Sequence, residues 1–316
     1  MTDKQALAAA TVVEVCMGAK AGETVLVVSD EGTEPIGRAF VAAARKAGLE
    51  AVLMLMQARE ISGAEPPAAV AQAMSAVDIC LLATTKSLSH TSARREACAR
   101  GARIASLPGI TEEMMNRTLT GDYAEIAAVS KKVAEIMDKA ATARVVSPLG
   151  TDITMSLVGR KAKPDTGILT QRGDFGNLPA GEAYIAPVEG TAQGIIVVDG
   201  SMLGGLMAEP LKLVVEDGYV VFVAGGADAE KLRGILEKYG REAGNIAELG
   251  VGTNPLAVLT GNVLEDEKVA GTVHLAIGNN MGFGGKVDVP VHLDGVLKNP
   301  TLYLDAQVVV KDGKLV

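Results

Sequence analysis

From residue 24 to about residue 143, short apolar runs alternate with segments of helical spacing. Residues 23–30 (ETVLVVSD), 51–56 (AVLMLM), 77–84 (VDICLLAT) and 102–109 (ARIASLPG) are almost unbroken apolar stretches. That is the texture of strands covered on both faces. Between them, residues 34–48 (EPIGRAFVAAARKAG), 67–76 (PAAVAQAMSA) and 91–101 (TSARREACARG) carry helical spacing, the first and last running into a glycine. The order predicts a βαβαβαβ arrangement of parallel strands with helical crossovers. Residues 121–143 predict a long helix that carries the chain out of this region.

After Val145 the pattern changes to short runs broken by glycine and aspartate, and most of the 36 glycines fall here. The runs are 151–158, 182–188, 194–200, 211–226, 272–278, 287–297 and 301–316, and the EDG and KDG segments at 216–218 and 311–313 predict hairpin turns. One helix, at 227–240, interrupts them. The expected fold class is α/β: an N-terminal parallel-sheet α/β domain over 1–144, then a β-rich α+β metal-binding catalytic domain over 145–316. Residues 1–23 read as an amphipathic helix ending at Gly22, without the basic start or cleavage site of a signal peptide.

Hydrophobic residues make up 48% of the 316 positions, yet charge or glycine breaks every long apolar run. None reaches the roughly 20 residues that a membrane span needs. Formal net charge is −8 with lysines and arginines scattered, so neither nucleic acid nor an anionic membrane is an expected partner. Cys16, Cys80 and Cys98 show no CxxC spacing and read as free thiols, which with the missing leader makes the cytoplasm the expected location. Aromatic residues are 3% with no Trp, too few for a stacking platform for bases or sugars.

Two of the three histidines, His274 and His292, share one glycine-rich stretch with Asp294. In a strand, His292 and Asp294 leave the same face and can converge on one ion, and an imidazole in the apolar run VHLAIG needs a polar partner. Glu182, between a Pro-Ala-Gly turn and a proline, and Glu248, before two nearby glycines, read on spacing alone as solvated loop charges.

NLPAGEAYIAP, AELGVGTNP, LEDEKVAGTVHLAIG and VHLDGVL occur in order over the C-terminal half. Together they resemble the aminopeptidase T and aminopeptidase S family of metallopeptidases. The resemblance implies that Glu182, Glu248, His274, His292 and Asp294 ligate two divalent ions, zinc, cobalt or manganese. It implies a metallo-aminopeptidase, a protease-type hydrolase that cleaves an N-terminal peptide or amide bond with metal-activated water, Glu182 or Glu248 passing the proton. A small peptide or amide substrate and a homodimer are the partners expected. The segment TKSLSHTSARREACARGARIASLPGIT resembles aminopeptidase T-like proteins too; in it His90 either caps a helix or contacts substrate. Met281 stands where the peptidases carry a tyrosine donor, and the chain is shorter than theirs.

The same fold is similar to the 2,5-dihydroxypyridine 5,6-dioxygenases, which hold a single ferrous iron through a histidine-and-aspartate set. His292 and Asp294 suit that chemistry as well, and His90 sits where that group has a catalytic histidine. Ring cleavage at a mononuclear Fe(II) centre is therefore the alternative expectation, and a non-catalytic small-molecule binder is a third.

Overall fold

A computed structural model describes residues 2–316. It divides into two compact units, Met1–Glu125 with Gly167–Ala180, and Ile126–Thr166 with Gly181–Val316. Positions 144 and 145 lie inside one strand, Thr142–Val146.

The first unit is built on a five-stranded sheet in the order Glu50–Leu55, Thr24–Ser29, Ile79–Ala83, Arg103–Ser106, Phe175–Asn177, every pair parallel. The apolar runs explain it: Ile79–Ala83 and Arg103–Ser106 are buried at every position, as strands with helices on both faces must be. Leu26, Val28, Cys80, Leu82 and Ile104 turn one face toward the helices Ala68–Met74 and Ser92–Arg100. On the other face, Gly37 of helix Glu34–Lys46 comes against Ser29 and Leu53. Thr91 caps Ser92–Arg100 by accepting from the Arg94 amide, and Gly101 ends that helix with φ +105°. The N-terminal helix is shorter than its pattern suggests: Asp3–Ala10 continues as a wider turn to Cys16, and Gly18 at φ +54° turns the chain away before Gly22. None of the three cysteines forms a disulfide among the described residues; Cys16 and Cys80 are buried and Cys98 is half-buried.

The second unit sets two antiparallel sheets about one core. The larger runs in the order Tyr219–Ala224, Leu211–Glu216, Gln193–Val198, Asp152–Ser156, Thr142–Val146, Thr301–Leu304, Gln307–Lys311, Lys314–Leu315. The smaller runs His292–Leu297, Val273–Gly278, Ile246–Gly252, Glu182–Ile185, Lys163–Asp165. Val145, Ile153, Ile196 and Leu213 from the first meet Ile185, Leu249, Leu275 and Leu297 from the second in one apolar cluster. The EDG and KDG turns form as their composition dictates, with Asp217, Gly218, Asp312 and Gly313 all at positive φ. The expected late helix is Gly226–Tyr239. Parallel α/β unit and β-rich unit together match the expected fold class.

Candidate metal centre

Alternation along the smaller sheet decides which side chains meet. Its register pairs Glu182 with Asp165 and Gly252, Gly250 with Tyr184 and His274, and Ala276 with Glu248 and Asp294; Gly278 pairs with His292. All of these therefore stand on one face. The residues between them, Leu249, Val251, Val273, Leu275 and Ile277, point the other way into the core. One sheet thus has an apolar back that holds it in place and a polar front whose glycines and alanine leave room for the charged side chains.

On that front the five residues expected as ligands come together. His274 Nε2 lies 3.2 Å from Glu182 Oε2 and 3.4 Å from Glu248 Oε1. His292 Nε2 lies 3.4 Å from Glu248 Oε2 and 3.5 Å from Asp294 Oδ1. Glu248 therefore stands between the two imidazoles, one oxygen toward each. Glu248, His292 and Asp294 each offer a ligand atom within 4.8 Å of the others, and so do Glu182, Glu267 and His274. The spacing reading of Glu182 and Glu248 as solvated charges is wrong: both are only 6% exposed. Each sits inside a buried strand of this sheet rather than in a loop.

The site's chemistry fits a cation. Glu182 Oε2, Asp294 Oδ1 and both nitrogens of His274 are buried and have no hydrogen-bond partner among the protein's groups. The His–carboxylate contacts are within ion-pair reach but off the line of a hydrogen bond, and leaving such atoms unsatisfied is costly. His292 Nδ1 is 2.8 Å from the Asn279 carbonyl oxygen. Donation to that oxygen puts the proton on Nδ1 in the neutral ring and turns the Nε2 lone pair toward Glu248 and Asp294, a common arrangement behind a metal-ligating histidine.

Electrostatics point the same way. Burial disfavours charge on His274, but Glu182 and Glu248 outweigh it and hold its pKa well above the ordinary value. His292 is likewise raised, against burial, by Asp294 and Glu248. Burial would lift Asp294, yet His292 and more distant cations bring it down to about 2. Carboxylates this crowded hold whatever positive charge is on offer, which is how a divalent cation would bind.

One cation is supplied by the chain. Lys268 is fully buried, its Nζ 2.6 Å from Glu182 Oε1 and 3.7 Å from Asp165 Oδ2, and it also contacts Glu267. Local structure delivers it: Asn262 caps the short helix Val263–Asp266, Asp266 accepts the amides of Thr260 and Gly261, and the Lys268 carbonyl accepts the Asn254 amide. Burial, with Glu182 and Asp294 beside it, pushes Glu267 up to about 8 despite Lys268. Lys268 and Glu267 carry no signal in the sequence, because LEDEK has the composition of a solvated surface turn. Neither do Tyr184 and Phe283, whose rings meet edge to face at 5.6 Å, Phe283 then meeting His292 at 5.9 Å. Met281 is 52% exposed in the same turn. His90 belongs to the first unit, exposed in the turn before Ser92–Arg100, where its carbonyl accepts from Arg95 Nη1 at 2.7 Å.

Fold and side chains define an enzyme scaffold that carries a carboxylate–imidazole cluster suited to a divalent cation. The chain belongs to the 2,5-dihydroxypyridine 5,6-dioxygenase family, whose model matches residues 6–316. A curated 2,5-dihydroxypyridine 5,6-dioxygenase from Pseudomonas putida KT2440 is 27% identical over 262 residues, 78% of this chain and 73% of that protein. Among solved structures, the 2,5-dihydroxypyridine dioxygenase of Pseudomonas putida KT2440 matches with TM-score 0.83 at 23% identity, over 100% of this chain and 98% of that one. Wild-type AmpT from Thermus thermophilus matches with TM-score 0.71 at 17% identity, over 99% of each chain.

These matches overturn the expected activity. The resemblance to aminopeptidases reaches the fold, but the family is that of a dioxygenase, so the hydrolase, aminopeptidase and protease reading is withdrawn. The carboxylates and imidazoles misled because such side chains suit an ion without naming a reaction, and a shared fold does not fix a function. Among the described residues no helix is long and apolar enough to cross a membrane.

Proposed function

We propose that this protein is a metal-dependent ring-cleaving dioxygenase acting on a dihydroxylated pyridine-type ring, with one divalent ion held by Glu248, His292 and Asp294. The observation that carries the reading is that compact set of three ligand atoms, with His292 Nε2 freed for an ion by the bond between Nδ1 and Asn279. One imidazole and two carboxylates suit ferrous or manganous ions, and open positions are what an oxygen-dependent reaction needs. As ferrous iron, the ion would supply the redox chemistry by which dioxygen reacts with an electron-rich ring. The protein's own residues do the rest. Asn279 fixes the His292 ring, Lys268 holds Glu182 through Oε1, and the opposed His274 Nε2 and Glu182 Oε2 can share a proton released by a ring hydroxyl. Family membership supports the substrate class.

The test is elemental analysis of protein purified without chelator, followed by oxygen uptake with 2,5-dihydroxypyridine. Binding of one ion per chain, loss of ring absorbance matched to oxygen consumed, and both atoms of labelled dioxygen in the product are expected. An ion-loaded protein that leaves the ring intact in air would end the proposal.

A further inference from the structure

Beside His292 and Asp294 opens a cavity of about 80 Å³, walled by Met202, Leu203, Val263 and Leu293. Among the described residues that line it, only His292 and Asp294 are ionisable. The hairpin Ser201–Met202 with Gly205–Leu206 forms one wall and lies against strand His292–Leu297. At its turn, Leu203 holds a left-handed backbone with φ +56°. Among the described residues only three other non-glycine positions do so, Asp217, Asp305 and Asp312. Aspartate tolerates that conformation because its side chain bonds to nearby backbone, whereas leucine gains nothing local from it. A strained leucine whose side chain borders a ligand cluster is the kind of outlier that marks a functional wall.

We infer that this recess seats the edge of the substrate ring that faces away from the ion, and that Leu203 and Val263 make the site select an uncharged ring over one that bears a carboxylate. The inference rests on the dioxygenase reading above. A carboxylate placed against Met202, Leu203 and Val263 would give up hydration that these side chains cannot replace. A neutral ring edge loses little water and gains apolar contact.

Equilibrium binding tests it without turnover, by calorimetric titration of ion-loaded protein in the absence of oxygen with 2,5-dihydroxypyridine and with a 2,5-dihydroxypyridine that carries one carboxylate. The wild type should prefer the neutral ring by at least about tenfold, the scale set by an uncompensated polar group. Val263 is 44% exposed, so Val263→Arg is accommodated. It should narrow the preference by about fivefold, the upper range for a partly exposed ion pair. Leu203→Asn suits the left-handed backbone, which offsets the packing lost where Leu203 meets the core, so its Tm should stay close to wild type while affinity for the neutral ring drops about fivefold with the lost apolar contact. A merely structural Leu203 would instead lower Tm and leave affinity alone. Unchanged binding of both rings in both variants, at full ion content, overturns the recess. A wild type that loads its ion and binds neither ring overturns the dioxygenase reading, and the recess with it.

Discussion

A Cβ at Gly250 would lie 1.9 Å from His274 Nε2, on the strand next to it. The two residues are direct cross-strand partners. Gly250 thus makes the space in which the His274 imidazole leans across the sheet toward Glu182 and Glu248, and any side chain there must push the ring away. Gly250→Ala should leave the fold intact but weaken divalent-ion binding by about tenfold or more, the scale seen when a ligand's support is removed. Competition against a chelator measures it. Undiminished affinity would mean that His274 does not support Glu248 in holding the ion.

Against the effect of burial, the neighbouring His292 keeps Asp294 ionised down to about 2, and the buried Oδ1 of Asp294 has no hydrogen bond. Asp294→Asn keeps the shape and removes the charge. Ion affinity should fall by about a hundredfold, since an uncharged amide oxygen is a far weaker ligand for a divalent cation than a carboxylate. The cross-strand pairing through Ala276 should hold, so the far-ultraviolet circular dichroism should not change. Retention of wild-type ion content would remove Asp294 from the metal site.

Lys268 neutralises a pocket that would otherwise hold three neighbouring carboxylates, Glu182, Glu267 and Asp165. Lys268→Met keeps the length of the side chain and deletes the ammonium. Removing one partner of a buried ion pair costs about 3–5 kcal/mol. Glu267, already pushed up to about 8, can stay protonated in the variant, which places the expected loss near the lower end. Urea unfolding of metal-free protein reads it directly. A loss under about 1 kcal/mol would mean that water reaches the pocket and screens the carboxylates.

The parallel α/β character of the first unit and the β-rich character of the second were legible because their signals are local. Unbroken apolar runs marked four of the five parallel strands of the first unit, but not Phe175–Asn177, and the EDG and KDG segments placed hairpins with Asp217 and Asp312 at positive φ. His292 and Asp294 were legible as neighbours because alternation is a property of two residues on one strand. Glu182 and Glu248 were legible only through the family resemblance and not from their spacing, since their burial comes from strands Glu182–Ile185 and Ile246–Gly252 pairing with each other and, through Ile246–Gly252, with Val273–Gly278. Lys268 was hidden for the same reason: only the closure of loop 260–268 on Asn254 takes it out of water. The choice between hydrolysis and oxygenation lay outside reach of the ligand motifs, because carboxylates and imidazoles suit a cation without naming the reaction it serves.

Glu189 ties down the turn that carries Phe283. Its carboxylate accepts the Lys286 amide at 2.8 Å and Asn280 Nδ2 at 3.0 Å, and pairs with Arg160, which also reaches the Gly284 carbonyl. Burial works to raise the Glu189 pKa, but these donors prevail and lower it below 4.5. A depressed folded-state pKa contributes stability above the unfolded value, and that contribution is lost as pH falls through the folded one. The strap should therefore hold at neutral pH and loosen only as pH drops from about 4.5 downward. Hydrogen exchange at residues 280–286, corrected for intrinsic rate, should show protection falling over that range in the wild type. In Glu189→Gln, which keeps one acceptor but not the charge, the loop should be less protected already at neutral pH. Because Phe283 meets the His292 ring edge-on at 5.9 Å, the variant should also shift the His292 ring resonances in the metal-free protein. Equal protection in both proteins from about pH 7 to about pH 3.5 would show that the turn holds its place without Glu189.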